Sequence, residues 1–514
     1  MPRPFLVVAG LIALTPLLSS CKVTPLQVTP NPTRPIAEAP KELPRVPQPD
    51  PAAAEVPSGY RVEIAVKDLI YPTSVEFDDA GNMYVAEGGY VYGDEAAPCR
   101  IWRIDKSGQM RIIAEQLNPP ITDLLWHQGR LYVSHRGKIS ALEGDRLRDL
   151  VTDLPSLGDH HNNQLAAGPD GKIYFGQGVA TNAGVVGVDN FVFAWLQKHP
   201  AFHDTPARDI KVSNKEYVTL NPLVLTSTKE PPLVKTAAFQ PFGQGKKDST
   251  IAGATKSNGT ILRMNADGSN LEVFAWGLRN PFGLTFGPDG NLYAADNGFD
   301  DRGSRRIANA LDAIWVVKQN VWYGWPDFNA GIPVTDPRFK PEQGGQPDFI
   351  MQEHPPVPKP LLTRPHHVGV TKMDAGRNDA FGPTGMLYLT EVGDMNPITG
   401  AHPEHYGYDL VRIDPRSGRA EVFFRTKPSA LGPSEGRLEY VQTPGPKRLV
   451  DVRFSPQGDA LYVVDIGAIG VLPTITPVPS PYPGTGVIWR ITRDGATSRD
   501  MPINLSPLPG RGRP

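Results

Sequence analysis

One phrase recurs six times along this chain, and it narrows the fold more than any other feature. It is a short apolar strand, a tight turn that usually holds Gly, and a second strand near Leu-Tyr-Val. The copies are PTSVEFDDAGNMYVAEGG from Pro72, ITDLLWHQGRLYVSHRG from Ile121 and NNQLAAGPDGKIYFGQG from Asn162. NPFGLTFGPDGNLYAADNG from Asn280, DAFGPTGMLYLTEVGD from Asp379 and LVDVRFSPQGDALYVVDIG from Leu449 complete the set. Asp-Gly between apolar runs is a strong hairpin signal, because Gly takes the left-handed backbone that a tight turn needs. A β-sandwich with repetitive hairpins is the alternative, but the repeated Gly-Pro-Asp-Gly favours an all-β, six-bladed β-propeller. The first three copies lie 40 to 50 residues apart. Later copies are farther apart, so long insertions are expected between 179 and 255 and between 299 and 378. VDNFVFAWLQKH, residues 188–199, is the best helix candidate.

A hairpin returns the chain to the end from which it started. Residues just before the first strand and just after the second therefore meet, opposite the turn. In the fourth copy these are Arg279 and Asn280 before, and Asp296, Asn297 and Gly298 after. In the third they are Asp159 and His160 before, and Gln177 after; in the sixth, Arg448 and Asp465. Glu87 and Glu391 follow the first and fifth hairpins. If the hairpins ring one axis, all of these collect at one mouth of the channel, where a ligand would bind.

The ends of the chain read differently. MPRPFLVVAGLIALTPLLSSCK has one Arg, a short apolar run and then small residues, which suits a secretory signal over residues 1–20. LLSSC resembles a bacterial lipobox, by which Cys21 would be the lipidated first residue of an exported, periplasmic or cell-surface protein. Residues 21–57 are Pro-rich and poor in apolar side chains, a tether without a core. The propeller is expected over 58–500, with a disordered tail at 501–514. Apart from Cys21 the only thiol is Cys99, so stability must come from packing and not from a disulfide. Formal net charge is −2 with both signs scattered, which gives nucleic acid no basic stripe to meet.

GLRNPFGLTFGPDGNLY, followed by DNG and NVWYGWPDF, resembles the glucose/sorbosone dehydrogenase family. The resemblance extends over most of residues 60–470. It implies a six-bladed propeller that oxidises an aldose or related sugar with pyrroloquinoline quinone (PQQ) and calcium. DHHNNQLAAGPDGKIYFGQG is similar to the family segment with the catalytic His, and counting back from Gly168 reaches His160. By this resemblance His160 takes the proton of the sugar hydroxyl and Asp159 orients its ring. A neutral imidazole is an effective base near pH 7; read without the resemblance, His160 is a turn residue or a core hydrogen-bonding group. Arg279 and Asn280 match the family's quinone-contacting Arg-Asn-Pro. Asn297 stands where the family puts a Gln on the cofactor, and Gly298 and Phe299 would give backbone carbonyls to calcium, a hard cation.

Other residues depart from the family. Its late Arg-x-Arg-Asp is here Arg448-Leu449-Val450-Asp451, with Val450 in place of the second quinone-binding Arg. Where the family has a Lys after the fifth blade's strand, this chain has Glu391, whose charge opposes a tricarboxylate. Asp300, Asp301 and Asp312 either join the calcium or belong to a solvated ion-pair network with the arginines of FDDRGSRR. At most one of His366 and His367 can face a site, because adjacent strand side chains alternate. Trp322, Tyr323 and Trp325 are read as blade core in preference to sugar-stacking faces. A second reading is a calcium-dependent lactonase using Glu87, Asn163, Asn297 and Asp465. A third is a binding propeller without catalysis. The sequence does not name the electron acceptor.

Overall fold

A computed structural model describes residues 45–89, 98–144, 146–192, 194–225, 231–245, 249–395, 406–432, 439–472 and 478–495. Six antiparallel sheets stand as six blades. The inner hairpins are Pro72–Phe77 with Met83–Gly88, Ile121–His127 with Arg130–His135, and Asn162–Ala167 with Ile173–Gln177. Pro281–Phe286 with Leu292–Asp296, Val370–Ala375 with Leu387–Glu391, and Leu449–Phe454 with Ala460–Asp465 follow. The ring closes across the chain, because Tyr60–Leu69 is the outer strand of the sixth blade, paired with Gly486–Arg493. The propeller expectation holds, with the fifth copy shifted. Its inner strand is Val370–Ala375, and Asp379 lies in the long connection that follows.

The turn chemistry is local and repeats. In the third blade Gly168 donates to the Lys172 carbonyl, Gly171 has φ +75°, and Tyr174 Oη donates to Asp170. In the fourth, Gly287 donates to Asn291, Gly290 has φ +77°, and Tyr293 Oη donates to Asp289 at 2.6 Å. The Asp of Pro-Asp-Gly thus anchors the Tyr of the second strand, which is why the two recur together.

Burial follows the blades. Six apolar clusters fill the six interfaces between neighbouring blades. Val133 and Leu124 pack against Ala86 and Ile101, and Leu449 and Trp489 pack against Tyr388 and Phe423. Val450, in the second arginine's place, is one of these core side chains at the seam between the sixth and first blades.

The axis itself is closed by polar side chains. Lys372 of the fifth blade reaches Asp123 of the second at 2.8 Å and Asp451 of the sixth at 3.3 Å. Ser74 donates to Asp123, and Gln164 accepts the backbone N–H groups of Leu284 and Met373. The fourth blade puts Gly283 here, because a Cβ would lie 2.3 Å from the Thr371 carbonyl. The mouth is therefore a basin with a floor and not an open pore.

Two expectations meet the described residues at their edges. Asp50–Glu55, inside the stretch read as tether, dock on the fold. The Asp50 N–H donates to Pro444, and Ala54 pairs with Thr426 at the edge of the fifth blade. Small, buried Ala53 and Ala54 allow that close approach. The helix expected over 188–199 is two short helices, Val188–Val192 and Trp195–Lys198, separated where Ala194 turns left-handed at φ +66°. Residues 1–20, Cys21 and 501–514 lie outside the described residues.

Candidate active site

The residue at or next to the end of each blade's second strand pairs with the first residue of its inner strand. These are Glu87, His135, Gln177, Asp296, Glu391 and Asp465. All six are buried and turned into the blade. Glu87 accepts from the Ile70 N–H, Arg100 and Trp102. Asp465 accepts the N–H groups of Lys447 and Arg448. Asp296 accepts those of Arg279 and Asn280, and burial pushes its carboxyl up to about 7. Glu391 is clamped by Arg364, and burial with the neighbouring Asp409 pushes it up to about 8. They latch the chain as it enters each inner strand, and so do not present themselves to a ligand as expected. This removes the lactonase set. Glu87 and Asp465 are latches, and the Asn163 amide donates to Asn280. Among the described residues no three His, Cys, Asp or Glu side chains gather to hold a metal ion.

The latches aim the residues before them. His160 and Asn280 meet across Gly178, where a Cβ would lie 2.4 Å from the His160 Cβ and 2.6 Å from Asn280 Oδ1. Asn163, Asn280 and Asn297 form a chain of amides at 2.8 Å per step, ending on the Val370 carbonyl. Replacing Gly178 by Ala is expected to force His160 and Asn280 apart. Turnover should fall by at least tenfold while the far-ultraviolet circular dichroism is unchanged. Unchanged kinetics would show that this contact does not set the site.

His160 Nδ1 lies 2.9 Å from the Val179 carbonyl oxygen. That oxygen can only accept, so Nδ1 carries the proton and Nε2 carries the lone pair. Burial, reinforced by the nearby Arg279 cation, holds the imidazole well below its ordinary pKa, so it is neutral at pH 7. Asp159 does not orient this ring. Its carboxylate accepts from Arg302 at 2.7 Å and from Asn190 at 3.1 Å. His161 points elsewhere, onto the Ser156 carbonyl and the edge of Trp195.

Arg279 is almost fully buried. It donates to the Asn182 carbonyl and side chain and to Asp300 Oδ2 at 2.9 Å. Arg302 joins it, reaching Asp300, Asp159 and Asp189. Burial alone would raise Asp300, but the two guanidinium groups hold its carboxyl below the usual range. Asp301 is turned away in a pair with Arg306. Asp312 accepts the N–H groups of Gly298 and Val370, a structural role. His367 has a left-handed backbone at φ +65°.

Arg448 precedes the sixth inner strand, at the same end as His160. The structure does not bring it into the cluster around His160, because its guanidinium is spent on the carbonyls of Val392, Gly393 and Asp394 and lies over Tyr408. Trp322, Tyr323 and Trp325 are buried in the core, as read, and offer no face to a sugar. Asn182, Asp189 and Asn190 are members of the site that sequence reasoning missed, and Arg302, read there only as part of a solvated network, is 15% exposed and joins them. All come from the two insertions, which carry no blade periodicity.

Residues 239–355 match the family model described as Glucose / Sorbosone dehydrogenase. Over that segment the chain is glucose/sorbosone dehydrogenase-like. The matched residues include Arg279, Asn280, Asn297 and the whole Asp300–Arg302 turn. Quinoprotein glucose dehydrogenase B of Acinetobacter calcoaceticus is 27% identical over 190 residues, 35% of this chain and 28% of that protein. An uncharacterized protein of Borreliella burgdorferi is 23% identical over 279 residues, 53% of this chain and 56% of that one. The chain thus aligns with less than two thirds of either relative. Two solved structures share the fold of this chain. The holo PQQ domain of Coprinopsis cinerea pyranose dehydrogenase has a TM-score of 0.52 at 15% identity, covering 87% of this chain and 98% of that one. A calcium structure of a Trichoderma reesei carbohydrate-active enzyme of family AA12 has a TM-score of 0.52 at 14% identity, covering 87% and 99%.

Proposed function

We propose that this protein is a sugar dehydrogenase that oxidises a hydroxyl group of an aldose or related sugar at the propeller mouth, with His160 as the base. The observation that carries the reading is the Nδ1–H donation to Val179, which leaves the lone pair on Nε2 of a ring that meets Asn280 across Gly178. Nε2 would take the hydroxyl proton as the C–H hydride leaves. Burial, reinforced by Arg279, lowers the proton affinity of the imidazole, so the base is free at neutral pH and returns its proton readily.

A hydride needs an acceptor, and PQQ with calcium is the pair that the mouth would take. Its donors fit. Arg279 and Arg302 already hold one carboxylate in a shared fork, the chemistry a quinone carboxylate requires. The Gly298 and Phe299 carbonyls accept no hydrogen bond from any described residue, which suits a hard cation. Arg279, Asn280 and Asn297 would hold the cofactor, and Gly298, Phe299 and Asp300 the calcium, whereas Arg448 is committed to the Val392, Gly393 and Asp394 carbonyls. PQQ supplies a two-electron hydride acceptor when bound. Val450 remains a departure, and the Arg302 guanidinium brings the mouth a cation from another loop. The test is dye-linked oxidation of an aldose panel by purified protein with calcium and PQQ. No turnover with any aldose would overturn the reading.

We further propose that the protein is exported, with a leader at 1–20, a lipid on Cys21 and the propeller held off the membrane by the Pro-rich stretch. Among the described residues no helix is long and apolar enough to cross a membrane. Labelling with a fatty-acid analogue should mark the wild type and not Cys21→Ser. Equal labelling, or none in either, would count against the anchor.

A further inference from the structure

Asp300 holds an unusual position. A single oxygen, Oδ2, accepts from Arg279 Nη2 at 2.9 Å, Arg302 Nη2 at 3.0 Å and Arg302 Nε at 3.1 Å. Its other oxygen accepts no hydrogen bond from any described residue. Both guanidinium groups have further partners. Arg279 keeps Asn182, and Arg302 keeps Asp159 and Asp189. Those two carboxylates are the more buried, with side chains 3% and 9% exposed against 15% for Asp300. The Asp300 backbone is pinned on both sides by Asn182, whose Oδ1 accepts its N–H and whose Nδ2 donates to its carbonyl. The main chain is fixed by Asn182, whereas among the described residues the side chain is held only by the two guanidinium groups. One and two residues earlier along that fixed chain stand the carbonyls of Phe299 and Gly298, which accept no hydrogen bond from any described residue.

We propose that Asp300 is an exchangeable carboxylate, filling the Arg279–Arg302 fork until a carboxylate of the incoming quinone takes its place, and then turning to the calcium held by the Phe299 and Gly298 carbonyls. The inference rests on the dehydrogenase reading. Charge supports the exchange. Of the two guanidinium groups, Arg302 keeps Asp159 and Asp189, but Asp300 is the only carboxylate paired with Arg279 among the described residues, and an unpaired buried charge is costly. An entering carboxylate satisfies them only if Asp300 leaves, and a divalent cation two residues away gives the released carboxylate a partner. Quinone and calcium would then assist each other's binding through one side chain, a coupling that is reciprocal.

The exchange is tested on the full chain with two titrations, PQQ followed by absorbance in calcium-free buffer and calcium followed by calorimetry. Asp300→Asn should bind PQQ at least tenfold more tightly without calcium, because the competing charge is gone. It should bind calcium at least tenfold more weakly. Asp300→Ala should move both constants in the same directions, and it keeps the test available if the Asn variant fails to fold. Asp301→Asn, which breaks only the pair with Arg306, should match the wild type. If the wild type binds both ligands and the Asp300 variants bind them equally well, or bind PQQ more weakly, the exchange is wrong and the dehydrogenase reading stands. If folded wild type binds neither ligand, both fall.

Discussion

His160→Gln is expected to lower kcat by roughly 10²- to 10⁴-fold, the range that a positioned general base contributes. Gln keeps a donor for the Val179 carbonyl, so the local fold should survive, as circular dichroism and thermal melting would show. KM should change little, because the lost group acts on the hydroxyl proton more than on sugar binding. The pH profile sharpens the test. Protonated His160 cannot accept a proton, so kcat/KM must fall as pH drops through its pKa. Burial and Arg279 place that pKa well below 6.5, so the wild-type acid limb should lie below the range of an ordinary histidine. The variant should have lost that limb. Activity within threefold of wild type, or an unchanged acid limb, would remove His160 from the chemistry.

How the site could be read from the sequence explains why this histidine was accessible and some of its neighbours were not. The hairpin phrases are local chemistry. Gly168 to Tyr174 fix their own turn, and Gly287 to Tyr293 repeat it, so six blades were legible. A hairpin also dictates what lies opposite its turn, which brought His160, Arg279, Asn280 and Asn297 together without coordinates. That argument gives position along the strand and says nothing of side-chain direction. It therefore placed Glu87, Glu391 and Asp465 at the mouth without revealing that they turn inward as latches. Direction also misassigned Asp159, which is next to His160 in sequence and belongs to Arg302. The Arg302 contacts to Asp189, in the first insertion, and to Asp159, at the entry to the third blade, span 113 and 143 residues. No periodicity carries information across such distances. Val450 was legible as a loss of charge, and its place in the seam between two blades gives the reason an apolar side chain is stable there.

Lys372→Met should have the largest effect on stability, through the axis. Lys372 is 1% exposed and lies between Asp123 and Asp451, with a further bond to the Thr73 carbonyl. Each carboxylate also fixes a neighbouring blade. Asp123 accepts the Leu165 N–H and Asp451 the Val75 N–H, so neither can move away to relax. Removing the cation leaves two buried carboxylates sharing Arg453, and breaking a buried pair in this way costs about 3–5 kcal/mol. Denaturation midpoints in urea, at unchanged slope, would report the loss. Its pH dependence distinguishes charge from packing. Burial already raises Asp451, and loss of Lys372 would raise it further above its unfolded value. The folded variant then holds a proton that the unfolded chain has released, so its stability must decline as pH rises from 5 to 8. The deficit against wild type should therefore be smaller at pH 5 than at pH 8, and adding Asp451→Asn should recover part of it. A deficit below about 1 kcal/mol, small against the burial of one charge, or one independent of pH, would mean that shape alone closes the axis and that the charges there are incidental.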